Sequence, residues 1–156
     1  MPRHRVQIPL RWSDVDAYGH VNNVQFLRLL EDARVLAFGA RSDGGAGQGD
    51  SMVATGLLVA RSEIEYLAPL DFSTTPVTID LWVTAIGGAD FELAYEVLDP
   101  HGDGAQVCAQ AATTMVAYDL AGGRPRRLTP AERSRLSGWL DGPIAWRRRR
   151  PADRDA

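Results

Sequence analysis

Apolar and polar positions alternate along several stretches of the chain. The clearest is Val77 to Ile86, where Val77, Ile79, Leu81, Val83 and Ala85 share one face and Thr78, Asp80 and Thr84 the other, the period of an amphipathic strand. Phe91 to Leu98 repeats the pattern with Phe91, Leu93, Tyr95 and Val97 opposite Glu92 and Glu96. Gly87-Gly88-Ala89-Asp90 between the two runs predicts a hairpin turn. Further strands are predicted at Val53 to Leu67, at Ala105 to Tyr118 after the turn signal Asp99 to Gly104, and at Val6 to Trp12 as a short first strand.

The period changes between the first two strands. From Val24 to Phe38, Phe26, Leu29, Leu30, Ala33 and Ala37 recur at helical spacing, with Gln25, Arg28 and Asp32 as a polar stripe. Leu27, Val35, Leu36 and Phe38 widen the apolar arc, so this helix is expected to be wrapped by a sheet. Asn22 is the expected N-cap, Gln25 at N3 its capping-box partner, Val21 a staple onto Phe26, and Gly39 the stop. A second, short helix is signalled by Thr129 as N-cap, Pro130 at N1 and Glu132 at N3, running to about Leu140. Arg41 to Asp50 reads as a glycine-rich connection. The sum is one α+β domain over residues 1–140, followed by an arginine-rich tail over residues 141–156 expected to be disordered. Five strands leave an edge and part of a sheet face uncovered, so at least a dimer is expected.

Composition narrows the setting. The chain has 156 residues, enough for one core, and no apolar run near the ~20 residues of a membrane span. The first ten residues lack the unbroken apolar stretch of a secretory signal. The lone cysteine, Cys108, forms no internal disulfide and reads as a small buried hydrophobe, consistent with a cytoplasmic protein. There are 17 basic residues, all arginine, and 20 acidic ones, for a formal charge of −3. The tail from Asp141 carries a local excess of arginine, so the folded part is the more acidic and lacks the basic face of a nucleic-acid binder. Neither a nucleic-acid nor a membrane partner is expected.

The densest polar cluster, Arg11 to Asn23, joins the first strand to the long helix. A helix start concentrates unpaired N–H donors and the positive end of the dipole, a ready site for an anion that develops during a reaction. With Asn22 capping N2 or N3, the Asn23 N–H is left to polarise a ligand carbonyl. Asp16, seven residues upstream, can approach the same carbonyl as nucleophile or as general base. Thioesters suit this pair, because a thiol of pKa near 8.5 leaves as thiolate without a strong general acid. Asp14 reads as a structural turn residue. The spacing Asp14, Asp16, Gly19 does not complete a calcium loop, since Tyr18 and Gln25 stand where oxygen ligands are needed. His4, His20 and His101 lack metal-ligand spacing. No metal and no cofactor are expected.

The segment DVDAYGHVNNVQF, a helix ending LEDAR, then EIEYLAP and an alternating-strand half together resemble the hotdog-fold acyl-CoA thioesterases of the 4-hydroxybenzoyl-CoA thioesterase type, over Val6 to Leu128. The resemblance implies a five-stranded antiparallel sheet around the long helix. It also implies a homodimer with a continuous sheet, often paired again into a tetramer, with active sites at the subunit interface. By position it implies Asp16 as the catalytic aspartate, the Asn23 N–H as the carbonyl-polarising donor, and His20 as a histidine found in many members. The substrate would be an acyl-CoA, with coenzyme A part of the substrate rather than a cofactor. Tyr18, Gly19 and Asn22 are the candidate substrate contacts in the loop; Arg124, Arg126 and Arg127 are candidates for the phosphates of coenzyme A. Glu31, Glu63 and Glu65 read as solvated or ion-paired glutamates. The segment is also similar to plant acyl-carrier-protein thioesterases, but Tyr18 replaces their asparagine and Pro69 stands near their downstream acid. The hydratase pattern of asparagine-proline after the aspartate is absent at Ala17 and Tyr18. A non-catalytic acyl-CoA-binding module with the same fold is the remaining alternative.

Overall fold

The computed structural model describes residues 3–39, 51–101 and 106–147. The connection predicted at Arg41 to Asp50, part of the turn ending at Gly104 and the end of the tail lie outside them. The elements are β1 (His4–Ile8), α1 (Asn23–Gly39), α2 (Met52–Thr55), β2 (Leu57–Tyr66), β3 (Val77–Ile86), β4 (Asp90–Leu98), β5 (Val107–Asp119), β6 (Arg124–Pro125) and α3 (Pro130–Ser137). The main sheet runs β1-β3-β4-β5-β2, antiparallel throughout, and β6 pairs with the end of β5. This is the α+β hotdog architecture: an antiparallel sheet curled around one long helix, with a short C-terminal helix.

Alternation decides the faces. Val77, Ile79, Leu81 and Val83 of β3 and Phe91, Leu93, Tyr95 and Val97 of β4 are buried in one core with Phe26, Leu29, Leu30, Ala33, Ala37 and Phe38 of α1. Each large side chain taken out of water there stabilises the fold by roughly 1.5–3 kcal/mol. The apolar arc of α1 is narrower than its sequence implies. Leu27, Val35 and Leu36 are exposed in the single chain, and only Phe38 of the widening positions is buried.

Local breakers move several boundaries. β1 ends at Ile8, before Pro9, and Trp12–Asp14 form one 3-10 turn instead of continuing the strand. The strand predicted from Val53 begins only at Leu57. Ser51 caps a single helical turn, accepting from the Ala54 N–H at 3.3 Å, and Gly56 then turns the chain at φ 101°. A Cβ at Gly56 would lie 2.3 Å from the Tyr118 carbonyl oxygen, so only glycine lets β5 pass this close. The predicted second helix stops at Ser137, before Gly138, and its expected Thr129–Glu132 capping box is formed.

The tail does not begin at Asp141. Residues 139 to 141 exchange backbone bonds with Val83, beyond the part of β3 that β1 covers. The chain then crosses the outward face of the sheet. The Trp82 indole donates to the Gly142 carbonyl at 2.8 Å, and Ile144 is buried against Trp82 and Ala94 with Ala112 and Trp146 beside them. Gln110 donates to the Ala145 carbonyl, and the Arg147 N–H to Glu65 Oε2 at 3.0 Å. This apolar strap was hidden in the sequence behind Gly142-Pro143 and the arginine run.

Candidate active site

Asp14 organises the loop before α1. Its carboxylate is fully buried and accepts from Arg28 Nη2 at 2.7 Å, from the Arg11 N–H at 2.7 Å and from the Arg11 guanidinium. Its carbonyl accepts the Asn22 N–H at 2.8 Å, which ties the start of α1 to the same residue. Asn22 is the N-cap, its Oδ1 accepting from Val24 at 3.1 Å. The expected capping box is not formed, because the Asn22 N–H is already used by Asp14 and the Gln25 side chain accepts from Arg28 Nε instead. The Asn23 N–H has no partner among the described residues.

The turn at Ala17 to Gly19 returns the chain on itself. Gly19 sits at φ 78°, a conformation that favours glycine. Asp16 Oδ1 accepts the Tyr18 N–H at 2.8 Å and the His20 N–H at 3.2 Å, and the Asp16 N–H donates to the His20 carbonyl at 2.8 Å. These bonds hold one carboxylate oxygen within the loop. Oδ2 has no hydrogen-bond partner among the described residues.

Asp16, His20 and Asn23 line one cavity of about 380 Å³ with Phe26, Tyr66 and the Leu67–Leu70 stretch. Much of that lining is apolar, and Phe26 meets Tyr66 edge-on at 5.3 Å between ring centres. The His20 ring lies 3.6 Å from Asp71, whose segment bridges to His20. Tyr18 and Gly19 act on the loop through their backbones. Tyr18 itself is 83% exposed, and neither it, Gly19 nor Asn22 lines this cavity.

The arginines stand elsewhere in the chain. Arg126 and Arg127 line a second cavity of about 590 Å³ with Glu132 and Arg135, and Arg135 reaches the Ala37 carbonyl near the C-terminal end of α1. α1 has 17 residues, so the two ends are roughly 25 Å apart. Arg126 grips Glu132 through both guanidinium nitrogens at 2.8 and 2.9 Å. With the Thr129 N–H and the Thr55 hydroxyl also donating, this holds the Glu132 carboxyl down at about 2. Arg124 pairs through β6 with Asp119 on β5 and lines neither cavity.

Cys108 is buried beside the Pro69 carbonyl, and burial pushes its thiol up to about 11, which suits a packing role. Glu65 bonds Gln110 and Arg147 on the outward face, and Glu63 pairs with Arg61. Among the described residues no cluster of three or more His, Cys, Asp or Glu is placed to hold a metal, and no helix is long and apolar enough to cross a membrane.

Sequence reading passed over two lining or neighbouring residues. Tyr66 was legible in principle, since it continues the inward parity of Ser62 and Ile64 along β2. Asp71 carries no local signal, because only the meeting of two distant segments brings it to His20.

Residues 10–140 match the family model of the Thioesterase-like superfamily, and the chain belongs to that family. Among solved structures, a Thermus thermophilus thioesterase complexed with coenzyme A and zinc is 28% identical, with a TM-score of 0.69, covering 86% of this chain and 92% of that one. A predicted thioesterase from Bacillus stearothermophilus shares the fold at a TM-score of 0.74 and 22% identity, over 92% of this chain and all of the other. A search of curated proteins finds no match.

Proposed function

We propose that the protein hydrolyses acyl-CoA thioesters, with Asp16 as the attacking or water-activating carboxylate and the Asn23 N–H as oxyanion donor. The observation that carries this reading is the shared cavity: Asp16 and Asn23 line it together, and one Asp16 carboxylate oxygen and the Asn23 N–H have no partner among the described residues. Membership of the thioesterase superfamily supports it, as does the coenzyme A bound by the Thermus relative. The thioester carbonyl takes the N–H bond. Oxygen, from Asp16 or from water whose proton Asp16 accepts, adds to the carbonyl carbon as negative charge builds on the carbonyl oxygen. That charge returns as the C–S bond breaks, and the thiolate leaves and takes a proton. On the carboxylate route, water then cleaves the acyl-aspartyl anhydride. His20, beside Asp71, orients or relays within the same loop. Two copies join along the free edge of β2, in the cytoplasm, and the arginines on one copy serve the phosphates of substrate held largely by the other.

Thiol release from a panel of acyl-CoA chain lengths tests the activity, with the same acyl groups on a carrier protein as comparison. Asn23→Pro removes the donor at N1, where proline fits a helix. The variant is expected to fold and to lose about 10²–10³ in kcat. A folded Asn23→Pro protein with full turnover would falsify the assignment of the donor. Rapid-quench mass spectrometry of the protein during a single turnover separates the two routes, since only the anhydride route adds the mass of the acyl group to Asp16.

A further inference from the structure

Tyr66 is the last residue of β2, and its ring reaches across the cavity to the start of α1. Its hydroxyl donates to the Asn23 carbonyl oxygen at 2.9 Å, while its ring packs edge-on against Phe26 in the first turn. Asn23 is the first helical residue and lies where intrahelical bonds are fewest and fraying is easiest. Other ties at this end are the Asn22 side chain on the Val24 N–H, the Asn22 N–H on the Asp14 carbonyl, and the Gln25 N–H on the Asn22 carbonyl, which shares a peptide plane with the Asn23 N–H. The tyrosine bond holds the other side of Asn23, at its carbonyl. A carbonyl oxygen has two lone pairs, so the tyrosine bond adds to the helical one rather than competing with it.

We propose that Tyr66 is a positioning residue for the thioester reaction: its hydroxyl pins the Asn23 residue from the sheet side, so that the Asn23 N–H faces the cavity in a fixed direction. The inference rests on the thioesterase reading above and deepens it. A tyrosine hydroxyl is protonated at neutral pH, and burial raises that of Tyr66 further above its ordinary value. An oxyanion donor acts only if it is aimed before the charge develops, and small displacements of reacting groups are costly in rate. The loss therefore belongs in kcat, since the hydroxyl is spent on the protein and not on the bound substrate.

Tyr66→Phe keeps the ring and removes only the hydroxyl. With the acyl-CoA that the wild type turns over fastest, the variant is expected to lose about tenfold in kcat with KM within about twofold. The backbone order parameter of the Asn23 amide, from ¹⁵N relaxation, is expected to fall as well. Unchanged kcat per folded molecule overturns the proposal, whether or not thermal stability drops. A fall in kcat with an unaltered Asn23 amide also overturns it, because the hydroxyl would then act on substrate directly. Absence of turnover in the wild type overturns the thioesterase reading and this inference with it. Wild-type turnover with an equally active Tyr66→Phe overturns this inference alone.

Discussion

The two ends of α1 each present a carboxylate beside a cavity, and they treat it in opposite ways. At the C-terminal end both Glu132 oxygens are occupied by Arg126, Thr129 and Thr55. At the N-terminal end one Asp16 oxygen is tied to its own loop and the other has no partner among the described residues. Asp14, two residues from Asp16, behaves like Glu132, buried among arginine donors. A buried carboxylate with every lone pair engaged holds elements together and has nothing left to offer a ligand. A carboxylate satisfied on one side beside an open helix start retains a reactive oxygen. The larger of the two cavities holds the satisfied acid, Glu132, and the smaller one Asp16.

Substitutions at the three acids test this contrast. Asp16→Asn is expected to have the largest effect, a loss of 10³-fold or more in kcat, roughly 4 kcal/mol in the barrier, with the thermal midpoint shifted by no more than about 3 °C. Steady-state kinetics beside calorimetry reads both. A large loss of stability with kcat per folded molecule preserved would erase the distinction between Asp16 and Asp14. Asp14→Ala leaves Arg28 and Arg11 around an empty buried site and is expected to cost roughly 3–4 kcal/mol in urea unfolding. Activity should fall with it, because the Asn22 tie and the 3-10 turn loosen together.

Glu132→Gln is expected to cost roughly 3 kcal/mol while leaving kcat within a few-fold of wild type. The same pair predicts an acid limb. The folded carboxyl titrates at about 2, below its ordinary 4.5, so its contribution is complete above the ordinary value and is lost as pH falls from 4.5 through 2. Stability measured across that range should decline less steeply in Glu132→Gln than in the wild type. An equal decline would show that Glu132 is not the group responsible. The smallest effect is expected far from both ends. Ile144→Ala on the outward strap should cost about 2 kcal/mol and leave kcat unchanged, measured by the same urea titration. A change in kcat there would mean that the strap and the cavity are coupled.

Much of the fold was legible because its signals are local. Period-two alternation placed β3 and β4 nearly to the residue, and the Thr129 cap with Pro130 and Glu132 marked the start of α3. Boundaries failed where a proline, a polar cap or a glycine outweighed the period, as at Pro9, Ser51 and Gly56. The strap failed for a different reason: Ile144 and Trp146 form no repeat, and their burial depends on a sheet face built by distant strands.

For the site, the order of residues from Asp14 to Asn23 was enough to nominate a carboxylate and a helix-start donor, because a cap and a turn are written in neighbouring side chains. What the sequence alone determined was therefore the chemistry on offer and the elements that carry it. Tertiary structure decided which of those groups stay unspent. Arg28 lies fourteen residues from Asp14 and neutralises it, Glu132 meets Arg126, and Tyr66 arrives from the sheet to meet Asn23. Whether a polar group is satisfied depends on which segments the fold brings within about 3 Å, and no local pattern encodes that distance.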